Sequence, residues 1–248
     1  MKRINQYITE KLKITKNKKV KYTLFPKDTD ELDEMIEKEM ERNGYECSLN
    51  HIDVSQIKDM SELFYKSDFN GDISMWDVSN VEDMSWMFQH SSFDQDISQW
   101  NVSKVVNMSG MFENSIFNQD IYNWDVSNVQ DMHNMFKDSD FNGDISSWDV
   151  SKVFDMASMF YHSKFNQDIS KWNTSKVINM SSMFNGSIFN KPIGNWDVSN
   201  VRSMTRMFHN SRFNKNISNW NINSKCYYYQ IFTDADIKNE YKPAMFRD

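Results

Sequence analysis

The stretch Phe69 to Phe88 reads FNGDISMWDVSNVEDMSWMF, and close copies of it fill most of the 248-residue chain. Trp76, Trp100, Trp124, Trp148, Trp172, Trp196 and Trp220 recur every 24 residues without a slip. Met60, Met84, Met108, Met132, Met156, Met180 and Met204 keep the same interval, as do the phenylalanines in the series Phe69 to Phe213 and the isoleucines in the series Ile73 to Ile217. A period held without insertions means that each unit stacks on its neighbours in one geometry, which is the mark of a solenoid. One unit alone cannot bury enough apolar surface to offset the entropy of ordering it, so the repetition is first a way of building a core.

Within a unit the spacing changes character. Phe69, Ile73, Trp76 and Val78 sit among Asn, Asp and Ser and suit a short extended run with turns. Val81, Met84, Met87, Phe88 and Ser91 then follow the spacing of one helical face. Ser79 stands where a helix N-cap belongs, with Glu82 three residues on to complete a capping box. The pattern predicts an α/β repeat solenoid of about seven 24-residue coils, each with a short strand and a short helix.

Four segments follow from the pattern: a basic N-terminal segment at 1–27, a capping helix with the lead into the repeats at 28–50, the repeats at 51–232 and a closing cap at 233–248. In DTDELDEMIEKEMERNG (28–44) the stripe Leu32, Met35, Ile36 and Met40, the acidic start and Gly44 predict a helix that covers the open end of the stack. In residues 1–14, Ile4, Tyr7, Ile8 and Leu12 share one face of a short amphipathic helix.

The unit FNxDISxWDVSxVxDMxxMFxxS resembles that of the BspA-like leucine-rich-repeat surface proteins, whose repeats also occur in bacterial lipoproteins. The resemblance spans residues 28–248 and implies a right-handed leucine-rich-repeat-like solenoid that serves binding or adhesion, with no catalytic residues to carry over. Residues 1–14 are similar in style to the N-terminal targeting helices of tailed-phage internal head proteins.

Charge is unevenly placed. The chain carries −7 overall, but residues 1–27 hold nine Lys or Arg against one acid, leaving −15 for the rest. An acidic body does not suit nucleic acid, which needs a cationic face. The basic residues 1–27 are placed to dock on an acidic partner. No apolar run is long enough to span a membrane. Residues 1–20 lack the apolar core of a signal peptide, and no cysteine near them is placed for a lipid anchor. These features point to an intracellular or virion-associated protein, although the resembled family is often found at the cell surface. Cys47 and Cys226 are too few for a disulfide framework and read as free thiols.

Nothing in the sequence looks like chemistry. The five histidines fall at several phases of the repeat, and no phosphate loop or metal-ligand motif occurs. The chain reads as a non-enzyme with no cofactor. One column leaves a choice: Asp72, Asp96, Asp120, Asp144 and Asp168 recur at 24 and form a ladder, either capping turns through hydrogen bonds or holding calcium. Pro192 and Asn216 break that column, which favours turn-capping.

If the constant letters build the core, the varying ones specify a partner. Met75, Gln99 and Lys171 vary on the strand segment, and Trp86, Phe154 and Tyr161 bring aromatic rings to phases that are polar or small in most other coils. The expectation is a protein-binding or adhesion module with an unidentified protein partner. Two alternatives are a structural or packaged component, for example of a phage particle, docked through residues 1–14, and a calcium-stabilised surface protein.

Overall fold

The computed structural model describes residues 21–247, so the amphipathic reading of residues 1–14 lies outside the described residues. Its one α-helix among those residues is α1, Thr29–Asn43. The Asp28 carboxylate caps it by accepting the Glu31 N–H at 2.9 Å, and Gly44, at φ +83°, returns its N–H to the Met40 carbonyl. Leu32 and Ile36 are buried against the first coil, with Met35 and Met40 packed beside them. Two single-turn 3-10 helices, Asn239–Tyr241 and Ala244–Phe246, close the other end. No described helix is long and apolar enough to cross a membrane.

Between these caps the coils stack in parallel at a register of 24, through single bridges from Asp59↔Asp83 to Ser203↔Tyr227. The expected leucine-rich-repeat-like α/β coil, with a strand and a helix in each unit, is overturned. Among the described residues the coils contain isolated bridges and turns, no extended strand and no helix.

The backbone shows why a helical spacing did not make a helix. An α-helix sends every N–H to the carbonyl four residues back and keeps φ negative. Here alternate N–H groups leave the coil: those of Met84, Trp86, Phe88 and His90 reach the carbonyls of Asn107, Ser109, Met111 and Glu113 in the next coil. Of the N–H groups that alternate with them, those of Met87, Gln89 and Ser91 bond three residues back within the coil, and that of Ser85 bonds the Asp83 carboxylate. This alternation needs a left-handed residue at two phases, such as Trp86 (φ +53°) and His90 (φ +56°). Asn, Asp, Ser and Gly hold many of these places, and no β-branched residue holds any. The i, i+3, i+4 stripe of Met84, Met87 and Phe88 is common to both conformations, and pairing between coils selects the turns.

Side chains cap the remaining turns. In one coil Asp72, Asp77 and Asp83 each accept the N–H two residues on, at 3.0, 3.1 and 2.8 Å. Ser91 does the same for Phe93 at 3.1 Å. Ser79 is therefore not a helix cap; its N–H is itself capped by Asp77. An amide ladder ties coil to coil: Asn70 Oδ1 accepts the Asp94 N–H at 2.9 Å, Asp94 that of Asn118, and so on to Asn214 and Lys238.

The repeat tryptophans, 3–6% exposed, add a second tie. Each indole N–H from Trp76 to Trp220 donates to a carbonyl in the preceding coil, at 3.0–3.2 Å. The core is a set of aromatic columns. Phe64, Phe88, Phe112 and their successors to Phe232 stack at 5.5–5.8 Å between centroids, within 10° of parallel. The columns from Phe69 to Phe213 run beside them at 6.2–6.4 Å. Offset stacks of this kind add to the free energy of burial.

Candidate functional site

Because the register is 24, residues that share a phase form a column up the side of the stack, and a binding face has to be read column by column. The phase two residues after the SKV or SNV serine-plus-one position runs Glu82, Val106, Gln130, Phe154, Ile178, Arg202. Its N–H groups are spent on the coil before, as Ile178 N–H to Phe154 O at 2.9 Å, and its side chains point outward. Phe154 is 42% exposed and Ile178 41%, one coil apart, with Val106 38% exposed further along the same column.

The neighbouring column supplies cations: Lys104, Lys152 and Lys176. The Lys104 and Lys152 ammonium groups donate to Asn80 and Asn128 Oδ1, each at 2.6 Å. Lys176 and Arg202 have no side-chain or carbonyl acceptor among the described residues, so both charges face solvent. A groove of about 460 Å³ runs between the columns, lined by Lys152, Phe154, Lys176, Ile178 and Arg202 together with Ser175, Asn200 and Asn223. No carboxylate lines it. On a chain of net charge −7 this is a local reversal of sign, with exposed apolar side chains beside the cations.

The varying residues singled out in the sequence do not converge. Met75 and Gln99 are neighbours one coil apart in a single column, and Lys171 stands three coils further along it, Met75 half-buried and the other two exposed. Trp86 is half-buried: its indole lies across the backbone of Gly110, and its ring meets His133 edge-on at 6.1 Å. Tyr161 is half-buried beside His162, under the Lys137 ammonium at 5.9 Å. Phe154 alone lies in the groove. Ile178, Lys176 and Arg202 were missed, although SKVF, SKVI and SNVR written one above another display the column.

The aspartate ladder has another geometry. Asp72, Asp96, Asp120, Asp144 and Asp168 each accept the N–H two residues on, at 2.9–3.0 Å. Asn216 makes the same bond to Ser218 at 2.9 Å without a charge. The backbone N–H and hydroxyl of Ser170, then Lys171 and Lys191, hold the Asp168 carboxyl below the usual range. Among the described residues no group of three or more His, Cys, Asp or Glu is placed to hold a metal ion.

Two buried or half-buried charges are satisfied within the stack. The Glu113 carboxylate, 7% exposed, takes the Lys137 ammonium at 2.6 Å and the Gln89 amide at 2.8 Å. His133 Nδ1 lies 2.8 Å from Asp131 Oδ1. That hydrogen bond raises the His133 pKa against the opposing effect of burial. Burial pushes the Asp131 carboxyl upward, but its bonds to the His133 ring and N–H outweigh this and leave it below its ordinary value.

A stack of this register with varying lateral columns defines a tandem-repeat protein. The chain belongs to the family described as "Mycoplasma protein of unknown function, DUF285", which matches residues 30–144 and again residues 137–243. The likeness of the unit to BspA-like repeats stays a likeness, and the repeat family is what the match shows. Searches of curated proteins and of solved structures returned no match.

Proposed function

We propose that this protein is a non-enzymatic protein-binding module whose lateral groove takes an acidic segment carrying apolar side chains. The observation that supports the reading is the pairing of exposed Phe154 and Ile178 with Lys176 and Arg202, two cations without an acceptor among the described residues, in a groove that no carboxylate lines. Apolar anchors flanked by charge give affinity at the centre and orientation at the rim. The stack supplies rigidity, because each lateral residue rides on turns bonded to both neighbouring coils.

The phase itself offers test variants that keep the fold. Gln130 and Glu82 already occupy it, so Phe154→Gln and Arg202→Glu place on the stack side chains that it carries elsewhere. A random-peptide display library selected on the full chain is expected to enrich segments with Asp or Glu beside aromatic or aliphatic residues. Binding of those peptides should fall at least tenfold in the double variant and weaken in high salt. Enrichment of basic peptides, or binding indifferent to both substitutions, would overturn the reading.

A second reading, a packaged or spacer component docked through its N-terminus, draws support from the +8 balance of residues 1–27. Removing residues 1–25 separates the two: peptide capture persists under the first reading, and localisation is lost under the second.

A further inference from the structure

Among the described residues, the two ends of the stack carry matching sets of backbone groups without partners. In every interior coil the N–H groups at four alternate positions donate to the next coil, as Met204, Arg206, Phe208 and Asn210 do to Tyr227, Tyr229, Ile231 and Thr233. The last coil repeats this arrangement with no coil beyond it. The N–H groups of Tyr228, Gln230, Phe232 and Asp234 have no acceptor among the described residues.

The first coil presents the complement. Its carbonyls at Asp59, Ser61, Leu63 and Tyr65 hold the phase that receives such donors. The Thr29 hydroxyl takes the Asp59 carbonyl at 2.7 Å, and the other three have no donor among the described residues. Ser61, Leu63 and Tyr65 line an open groove of about 740 Å³ between α1 and the first coil. Both caps thus cover the aromatic columns, α1 through Leu32 and Ile36 and the closing segment through Phe246 on Phe232 at 5.4 Å. Neither supplies partners to these remaining edges.

Charge and side chains agree with the backbone. Among the described residues, 21–46 hold nine acids against four Lys or Arg, and 202–247 hold eight Lys or Arg against three acids. The groove beside α1 is lined by Asp30, Asp33 and Glu37 and by Asp59, Glu62 and Asp68, against Lys66. Burial and the neighbouring Glu37 and Asp30 push the Asp33 carboxyl above its ordinary value, so a cation entering there relieves a repulsion. At the other end Tyr227 and Tyr229, 75% and 66% exposed, stand where interior coils carry Asp, Asn, Ser, His, Ala or Thr.

We infer that the protein associates head to tail, the last coil of one copy pairing its edge with the first coil of a second. The contact is heterologous and need not close, so association continues along the stack axis. It is separate from the lateral groove, and either reading can fail alone.

Sedimentation velocity on the full chain is expected to show an average mass that rises with concentration and falls back to monomer as salt screens the opposed ends. Tyr229→Glu spoils the last coil and Asp33→Lys spoils the first, both at exposed positions. Each variant alone should be monomeric at concentrations where the wild type associates. An equimolar mixture retains one good interface per pair and should stop at twice the monomer mass. A wild type that stays monomeric throughout overturns the proposal, as does an Asp33→Lys protein that still dimerises through like ends. Circular dichroism and peptide capture at the lateral groove, unchanged in both variants, separate loss of association from loss of fold.

Discussion

At Gly110 the backbone sits at φ +59°, and a Cβ there would overlap the indole of Trp86 one coil earlier. The equivalent positions carry Asn134 at φ +57° and Ser158 at φ +53°, so the left-handed conformation alone is tolerated. Gly110 thus serves its neighbour's bulk. Gly110→Ala is expected to cost about 1–3 kcal/mol by chemical denaturation, combining backbone strain with displacement of the indole. In a Trp86→Ser background the cost should fall to about 1 kcal/mol, and equal costs in both backgrounds would refute the pairing. His133 yields a pH signature. Asp131 raises its folded pKa, so its contribution is full below about 6.5 and is lost as pH rises through the folded value. Asp131, depressed in turn, contributes above about 4 and loses its share as pH falls through its own folded value. The gap in melting temperature between wild type and His133→Gln should therefore be widest between about pH 4 and 6.5 and narrow by pH 8.5. A gap constant over that range would contradict the pair.

At the scale of the coil, the question is what the repeated acids do. Asn216 makes the same turn-capping bond as the aspartates of its column, and Asn107 caps Ser109 at 3.0 Å in the column of Asp83. The oxygen is used and the charge is incidental. Asp96→Asn should leave stability within about 0.5 kcal/mol, and Asp96→Ala should cost about 1 kcal/mol through the lost cap. Chelator should not shift the melting temperature of the wild type, and a rise on adding calcium would contradict this account. The sequence made the register, the core columns and α1 readable, because a 24-residue period and a capped amphipathic stripe are local or periodic signals. It misled on the coil's conformation. Met84, Met87 and Phe88 fit a helix and a series of four-residue turns equally well. The choice rests on hydrogen bonds to a coil 24 residues away, which no window within one unit contains. Phe154 was legible as an exception within its own coil, whereas Ile178, Lys176 and Arg202 gain meaning only when stacked beside it.

For the whole molecule, the constant residues hold the stack through ladders that any in-register coil can continue, and the lateral columns are free to vary. Removing a coil in register should therefore preserve the fold and delete only what that coil displayed. Deleting residues 141–164 places Lys137 next to Asn185, Asp138 next to Gly186, and Gln130 next to Ile178. It leaves Glu113 with its Lys137 partner and removes Phe154 and Lys152 from the groove. Deleting residues 141–152 removes half a coil, breaks every ladder at once and should unfold the chain beyond the break. The most direct measurement is thermal melting of the 24-residue deletion together with its capture of acidic, apolar peptides. The account predicts a cooperative transition with native tryptophan fluorescence and at least a tenfold loss of capture. An unfolded protein would contradict the assignment of the constant residues to the stack, and undiminished capture would contradict the assignment of binding to the groove.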